Sequence, residues 1–380
     1  MAGGVSRLNL DIRNETARGY LLIGVFFIHG LYDYTSAMND WTAAPAAFGL
    51  LKLLAPQIAV YFLLSGMSLR GIGRKSFRAV LPQSLMLIFL AWVSEGLGII
   101  PDELFYGNDG TGIAFLKAFA KPIIYGTGGC TYVTWFFTVL AIARILVWIF
   151  EKNKIYFGLA WLLIIGLILA AKHLHLPDNL YEWRNWPIAT LFIAIGMRLP
   201  KNWIVPPAIG FGGLAAALIL TWVNAPGMWR HLPCLTCHLD FVAEPMVGGY
   251  GFLPVYIIAE LGFFLFMLWV EQSPPAMIGK IGRYFGRASL QFLLLHGWVL
   301  VTISPLIASF YPTSGYLAVP VLILVATPLL HAFIFRYTEP YLNRVLAFCF
   351  KAGRTVTDWI FDPPGLAMAA RRRFGKWPAL

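Results

Sequence analysis

Residues 18–29 read RGYLLIGVFFIH, and the fold follows from this stretch. An arginine stands at the entrance of a long apolar run and a histidine lies inside it. At about 3.6 residues per turn, the eleven steps from Arg18 to His29 make almost three whole helical turns. The two side chains therefore share one face, roughly 16 Å apart at about 1.5 Å per residue. A helix entering a membrane at Arg18 places His29 about halfway through a ~30 Å hydrocarbon core. An ionisable group at that depth is costly, so it marks a functional site. The plainer alternative is a histidine hydrogen-bonded between helices, with an arginine that snorkels to the interface.

Composition carries the same message outward. The chain has 380 residues, of which 59% are hydrophobic and only 12% charged, far more apolar surface than a soluble domain needs. Spans that satisfy their own backbone in lipid are helices, so the expected fold is an all-α polytopic bundle. About ten spans are expected, near 19–38, 48–69, 79–99, 131–150, 156–172, 185–199, 205–223, 251–270, 289–308 and 317–336. The net charge of +11 suits an acidic partner, but its distribution gives a better account. Arg7, Arg13, Arg18, Arg70, Arg74, Lys75, Arg78, Lys152, Lys154, Arg198, Lys201, Lys280, Arg283, Arg287 and the tail RRRFGKW fall in alternate connections. That asymmetry predicts both termini on the cytoplasmic side and no nucleic-acid partner. The first apolar run is read as a retained span and not a cleaved leader.

Two connections on the other side are long, 100–130 and 224–250, and rich in Gly, Pro and aromatics. Both are expected to be loops that cap a cavity. Residues 1–337 form the expected membrane domain and 338–380 a basic cytoplasmic tail, with Trp359 and Trp377 as interfacial anchors.

Four constellations carry candidate chemistry. Arg18 and His29 are the first, with histidine suited to taking and returning a proton near neutrality. The second is SLRGIGRKSFR, 68–78, where Arg70, Arg74 and Arg78 recur every fourth residue. In one helix they make a cationic stripe able to hold phosphate oxygens, although any cytoplasmic loop is basic and touches anionic lipid. The third is CLTCH, 234–238, the spacing of c-type haem attachment. A Cys234–Cys237 disulfide, a bridge from either to Cys130, and free or metal-bound thiols are the alternatives. The fourth is His296 in the ninth span, followed by Glu339 in RYTEPYLNR, which has Arg336 and Arg344 beside it. His331 and the pair His173 and His175 are weaker candidates, and Glu95 and Glu260 also fall within spans.

Taken together, these pieces resemble the acyltransferase 3 family of polytopic bacterial membrane proteins. Arg18-x10-His29 is similar to that family's Arg and His on the first span. VYFLLSGMSLR (60–70) resembles its FF-x-x-SG segment, and TWFFTVL (134–140) its WF-x-x-x-L. ASLQFLLLHGW (288–298) resembles S-x-x-x-Y-x-x-H, with Phe292 in place of the tyrosine. YTEPYL (337–342) resembles the closing E-x-P, with Pro340 directly after Glu339. The motifs run in order over nearly the whole chain.

The resemblance implies a stand-alone O-acyltransferase of the bacterial inner membrane. It implies acetyl-CoA or another acyl-CoA as cosubstrate, with no permanently bound cofactor and no metal. The acceptor would be a hydroxyl of an extracytoplasmic glycan, such as an exopolysaccharide, lipopolysaccharide or periplasmic glucan, with a polysaccharide synthase complex as a further partner. His29 and Arg18 would be catalytic, and Arg70, Arg74 and Arg78 would hold the donor. His296, Trp135 and Glu339 would support them, with His296, Trp135 and backbone amides near Gly66 as oxyanion candidates. General-base action by His29 and an acyl-histidine relay both stay open. A proton-coupled transporter or glycan flippase is the alternative function, and a redox protein with haem at CLTCH the second.

Overall fold

The computed structural model describes residues 2–38, 44–106, 112–126, 131, 133–155, 180–200, 203–224, 251–272, 276–308 and 318–362, with single positions 159, 162 and 166. All the regular elements among them are helices. In chain order these are α1 (Ala2–Met38), α2 (Pro45–Leu54), α3 (Val60–Ser68), α4 (Phe77–Tyr106), α5 (Gly112–Tyr125) and α6 (Thr134–Lys152). They are followed by α7 (Trp186–Arg198), α8 (Pro207–Val223), α9 (Leu253–Gln272), α10 (Ala276–Arg287), α11 (Ser289–Ala308) and α12 (Ala318–Phe361). Proline stands in the first turn of α2, α7 and α8, where a missing N–H costs nothing.

Five segments are long and apolar enough to cross a membrane: Pro45–Ser68, Phe77–Ile99, Thr134–Lys152, Leu253–Gln272 and Ala318–Phe361. Pro207–Val223 and Ser289–Leu300 are shorter apolar helices. Their outward faces fit a lipid solvent. Leu322, Val325, Leu329 and Phe333 lie exposed along α12 at helical spacing, as do Phe211, Ile219 and Trp222 on α8. The helix bearing Arg18 and His29 is not among the five. It is enclosed by protein, with Ala17, Leu21, Leu22, Val25 and Phe26 all buried, so lipid compatibility is not demanded of its whole circumference.

Several expectations are corrected by these elements. The second span keeps its place as one apolar helical segment, Pro45–Ser68, but its middle tightens. Pro56, which has no N–H to give, lies in a tight turn (Ala55–Ala59) that separates α2 from α3. Residues 68–78 do not form a helical cationic stripe. Gly71 adopts φ 77° and Lys75 is extended, so the three arginines leave the backbone in different directions. The predicted loop 100–130 contains the end of α4 and all of α5. The tail boundary at 337/338 falls inside α12, which runs unbroken through Pro340 to Phe361. The unpredicted α10 packs on the first half of α1. Glycine makes that approach possible: a Cβ on Gly286 would lie 1.6 Å from the Glu15 carbonyl oxygen. Most of the span 156–172, and the loop 224–250 beyond Asn224, lie outside the described residues.

The polar connections meet at one end of the bundle. Arg287 pairs with Glu15 at 3.2 Å, Arg198 with Glu151 at 2.7 Å, and Arg78 with Asp358 at 3.1 Å and also with Asp362. Arg70 donates to the Leu199 carbonyl, and Arg18 donates to Ser68 Oγ at 2.7 Å.

Candidate functional site

The two ends of RGYLLIGVFFIH lead to different places. Arg18 reaches the charged end, where Ser68 accepts its hydrogen bond and the Tyr61 hydroxyl donates to its carbonyl at 2.8 Å. His29 points into the interior and begins a line of three imidazoles. Its Nδ1 lies 2.7 Å from Nε2 of His296 on α11. Nδ1 of His296 lies 2.8 Å from Nε2 of His331 on α12. Nδ1 of His331 in turn lies 2.6 Å from the Thr327 carbonyl, one turn back on its own helix.

Two features of the packing hold this line. Phe26, three residues before His29 on α1, stacks on His331 with centroids 3.8 Å apart and planes 9° from parallel, and lies 4.8 Å from the His296 ring. One aromatic ring thus packs against two imidazoles from two neighbouring helices. Gly30 then lets α12 come close, since a Cβ there would sit 2.5 Å from Ile323 Cγ2 and 3.2 Å from Thr327 Cγ2. Behind them, Phe285, Phe292 and Phe335 close the apolar wall, with Phe292 stacked on Phe335 at 4.1 Å. Phe292 therefore serves as packing here, where a tyrosine would bring a hydroxyl needing a partner.

Burial grades along the line. His296 is 1% exposed and His331 2%, while His29 is only partly buried. His296 and His331 are closed off, and His29 is the least buried of the three. The rings run in file and do not converge on a point, and among the described residues no group of three His, Cys, Asp or Glu side chains could hold a metal ion. A file of this kind can accept a proton at its least buried end, or hold a lone pair there at fixed orientation.

The other predicted site residues are placed as follows. Trp135 packs edge-on to Phe136 in the main core, and among the described residues it makes no hydrogen bond to the histidines. Glu339 is exposed on α12, beside Tyr284, two turns beyond His331. Arg74 is exposed, Arg70 is tucked against Leu199, and Arg78 is engaged by two carboxylates. Burial holds the Arg70 guanidinium below its ordinary range, and its Nε has no partner. Gly66 serves a close helix crossing. A Cβ on it would meet the Ile193 carbonyl oxygen at 2.2 Å, and one on Gly196 would meet that of Leu63 at 2.0 Å. Cys130, Cys234 and Cys237 lie outside the described residues, as does the whole of CLTCH.

Sequence reasoning ranked His331 low and did not join it to His29. No local pattern links residues so far apart in the chain. The available signal was weaker: three histidines, each alone in an apolar run, all needing polar partners that apolar helices otherwise lack.

Compared with known proteins, the chain matches no family model, no curated protein and no solved structure.

Proposed function

We propose that this chain is an integral membrane O-acyltransferase that moves an acyl group, acetyl in the first instance, from a cytoplasmic acyl-CoA to a hydroxyl of an extracytoplasmic glycan. The observation that carries this reading is the histidine file, whose least buried member, His29, shares a helix with an arginine at the charged end. The proposed topology has about ten spans and both termini cytoplasmic, in the inner membrane of a bacterium. The gathering of Arg18, Arg70, Arg198 and Arg287 at one end of the bundle supports that sidedness.

In the proposed reaction Arg18 and the exposed Arg74 attract the phosphates of the donor, and the thioester arm extends toward His29. His29 accepts the proton of the acceptor hydroxyl as its oxygen bonds to the thioester carbonyl carbon. The carbon–sulfur bond then breaks, and the same proton passes from His29 to the departing thiolate. Each turnover leaves an ester and a free thiol, with the histidine restored.

The experiment is acetyl-CoA binding to detergent-purified wild-type and His29→Ala protein, with radiolabelled acetyl transfer to a panel of bacterial glycans. Binding by both, with transfer lowered about 10²- to 10⁴-fold in the variant, is the expected result. Equal transfer by His29→Ala removes His29 from the chemistry. Absence of CoA binding removes the acyltransfer reading itself.

One observation favours a second reading, a proton-coupled transporter. The second span tightens into a 3-10 turn at Ala55–Ala59 in mid-run, beside buried Glu260 and Gln57, and a local change of helix type beside buried polar groups suits a substrate site in a carrier. Proton flux into proteoliposomes without any acyl donor is the result that selects it.

A further inference from the structure

The geometry points to His331 and His296 as positioning residues that lock His29 in one tautomer, with its hydrogen on Nδ1 and a bare lone pair on Nε2. This rests on the acyltransfer reading only for its consequence, not for its geometry.

The argument counts hydrogens. A carbonyl oxygen can only accept. The Thr327 carbonyl at 2.6 Å therefore requires the hydrogen of His331 on Nδ1. With one hydrogen per ring, His331 Nε2 is then an acceptor, and His296 Nδ1, at 2.8 Å, must be the donor to it. His296 Nε2 becomes an acceptor in turn, and His29 Nδ1, at 2.7 Å, must donate. Every other neutral arrangement sets two hydrogens or two lone pairs face to face at hydrogen-bond distance.

The consequence is chemical. A free imidazole exchanges its hydrogen between nitrogens, and a general base works only with a bare one facing the substrate. Here the hydrogen cannot move to His29 Nε2 unless all three rings change together. When His29 takes a proton on Nε2, its Nδ1–H is already directed at His296, so the new charge is met by a hydrogen-bonded acceptor. Removing a partner that orients a functional histidine typically changes activity about 10- to 100-fold.

The test uses the full-length protein in lipid with ¹⁵N-labelled histidine. Solid-state NMR of the wild type is expected to show His29, His296 and His331 protonated on Nδ1; a hydrogen on His29 Nε2 overturns the proposal. Two variants add a functional arm. His331→Leu removes the acceptor for His296 Nδ1 and is expected to lower kcat for acetyl transfer at least tenfold, with the KM for acetyl-CoA unchanged. His331→Gln places a side-chain oxygen near the position of Nε2 and is expected to recover kcat to within about threefold of wild type. Equal loss in both variants, in folded protein, makes His331 a packing residue and overturns the positioning role. A wild type with the expected tautomers but no acyl transfer overturns the proposed function and leaves the tautomer assignment standing.

Discussion

Glu95 on α4 and Glu260 on α9 are both wholly buried in apolar surroundings, but their oxygens meet different company. Glu95 accepts from the Thr131 amide at 3.3 Å, from Thr131 Oγ1 at 3.0 Å and from the Thr134 hydroxyl. It therefore ties the turn that leads into α6 to α4, and the nearby start of α6 favours a carboxylate there. Glu260 faces the first turn of α3 beside the tight turn in the second span, with the Val60 amide near it. Neither of its oxygens, nor Oε1 of Gln57 in the same turn, has a hydrogen-bond partner among the described residues. Burial alone thus says little about a membrane carboxylate. What separates a structural group from one held at a cost is the set of donors around it.

The largest effect should come from Glu95. Glu95→Leu leaves the Thr131 amide and two hydroxyls without their acceptor and unties that turn from α4, and should cost about 3 kcal/mol. Thermal unfolding of detergent-purified protein, followed by tryptophan fluorescence, should show Tm lower by several degrees. An unchanged Tm would make the tie irrelevant. Glu260→Leu is expected to act in the opposite direction, leaving Tm equal to wild type or raising stability by about 1 kcal/mol, because no hydrogen bond is lost and an unpaired polar group is removed. If both substitutions destabilise equally, the contrast between the two carboxylates disappears.

A third buried carboxylate, outside the membrane-spanning segments, gives the smallest and most conditional effect. Glu182 sits in the turn Leu180–Asn185, where it and Tyr181 hold positive φ values of 55° and 50°. Burial pushes its carboxyl up to about 8, against the opposing pull of Arg184. The folded turn therefore binds the proton more tightly than the unfolded chain does. Its contribution is complete below the ordinary carboxyl range near 4.5 and is lost as pH rises toward 8. Amide hydrogen exchange in 180–185 should show less protection at pH 9 than at pH 5, after correction for the intrinsic rate. Glu182→Gln should flatten that difference; a wild-type turn equally protected at both values would show that Glu182 does not govern it.

What the sequence disclosed follows the range of the interactions. Arg18 and His29 were legible as one helical face because both lie on a single periodic segment. Apolar runs marked most helices, and Pro56 inside one of them was a visible sign of the tight turn. Two local patterns misled. The fourfold spacing of Arg70, Arg74 and Arg78 implied a helix, but Gly71 turns the chain with a backbone conformation that spacing ignores. The charges of 276–287 read as a loop, although the glycines at 279, 282 and 286 were spaced for close helix packing. The donors to Glu95 and the partners of His29 were invisible for a different reason. They are made by contacts between distant segments, and one sequence carries no record of which distant segments meet.

The histidine file also has a history in time. His29 is made early in synthesis, and its partner His296 follows 267 residues later. At about 5–20 residues per second that gap lasts roughly ten seconds to a minute. Throughout it the imidazole lacks its partner and can take either tautomer. The direction of the file is fixed only when α11 and α12 arrive, so a truncated or stalled chain holds its first histidine without the order that the other two impose.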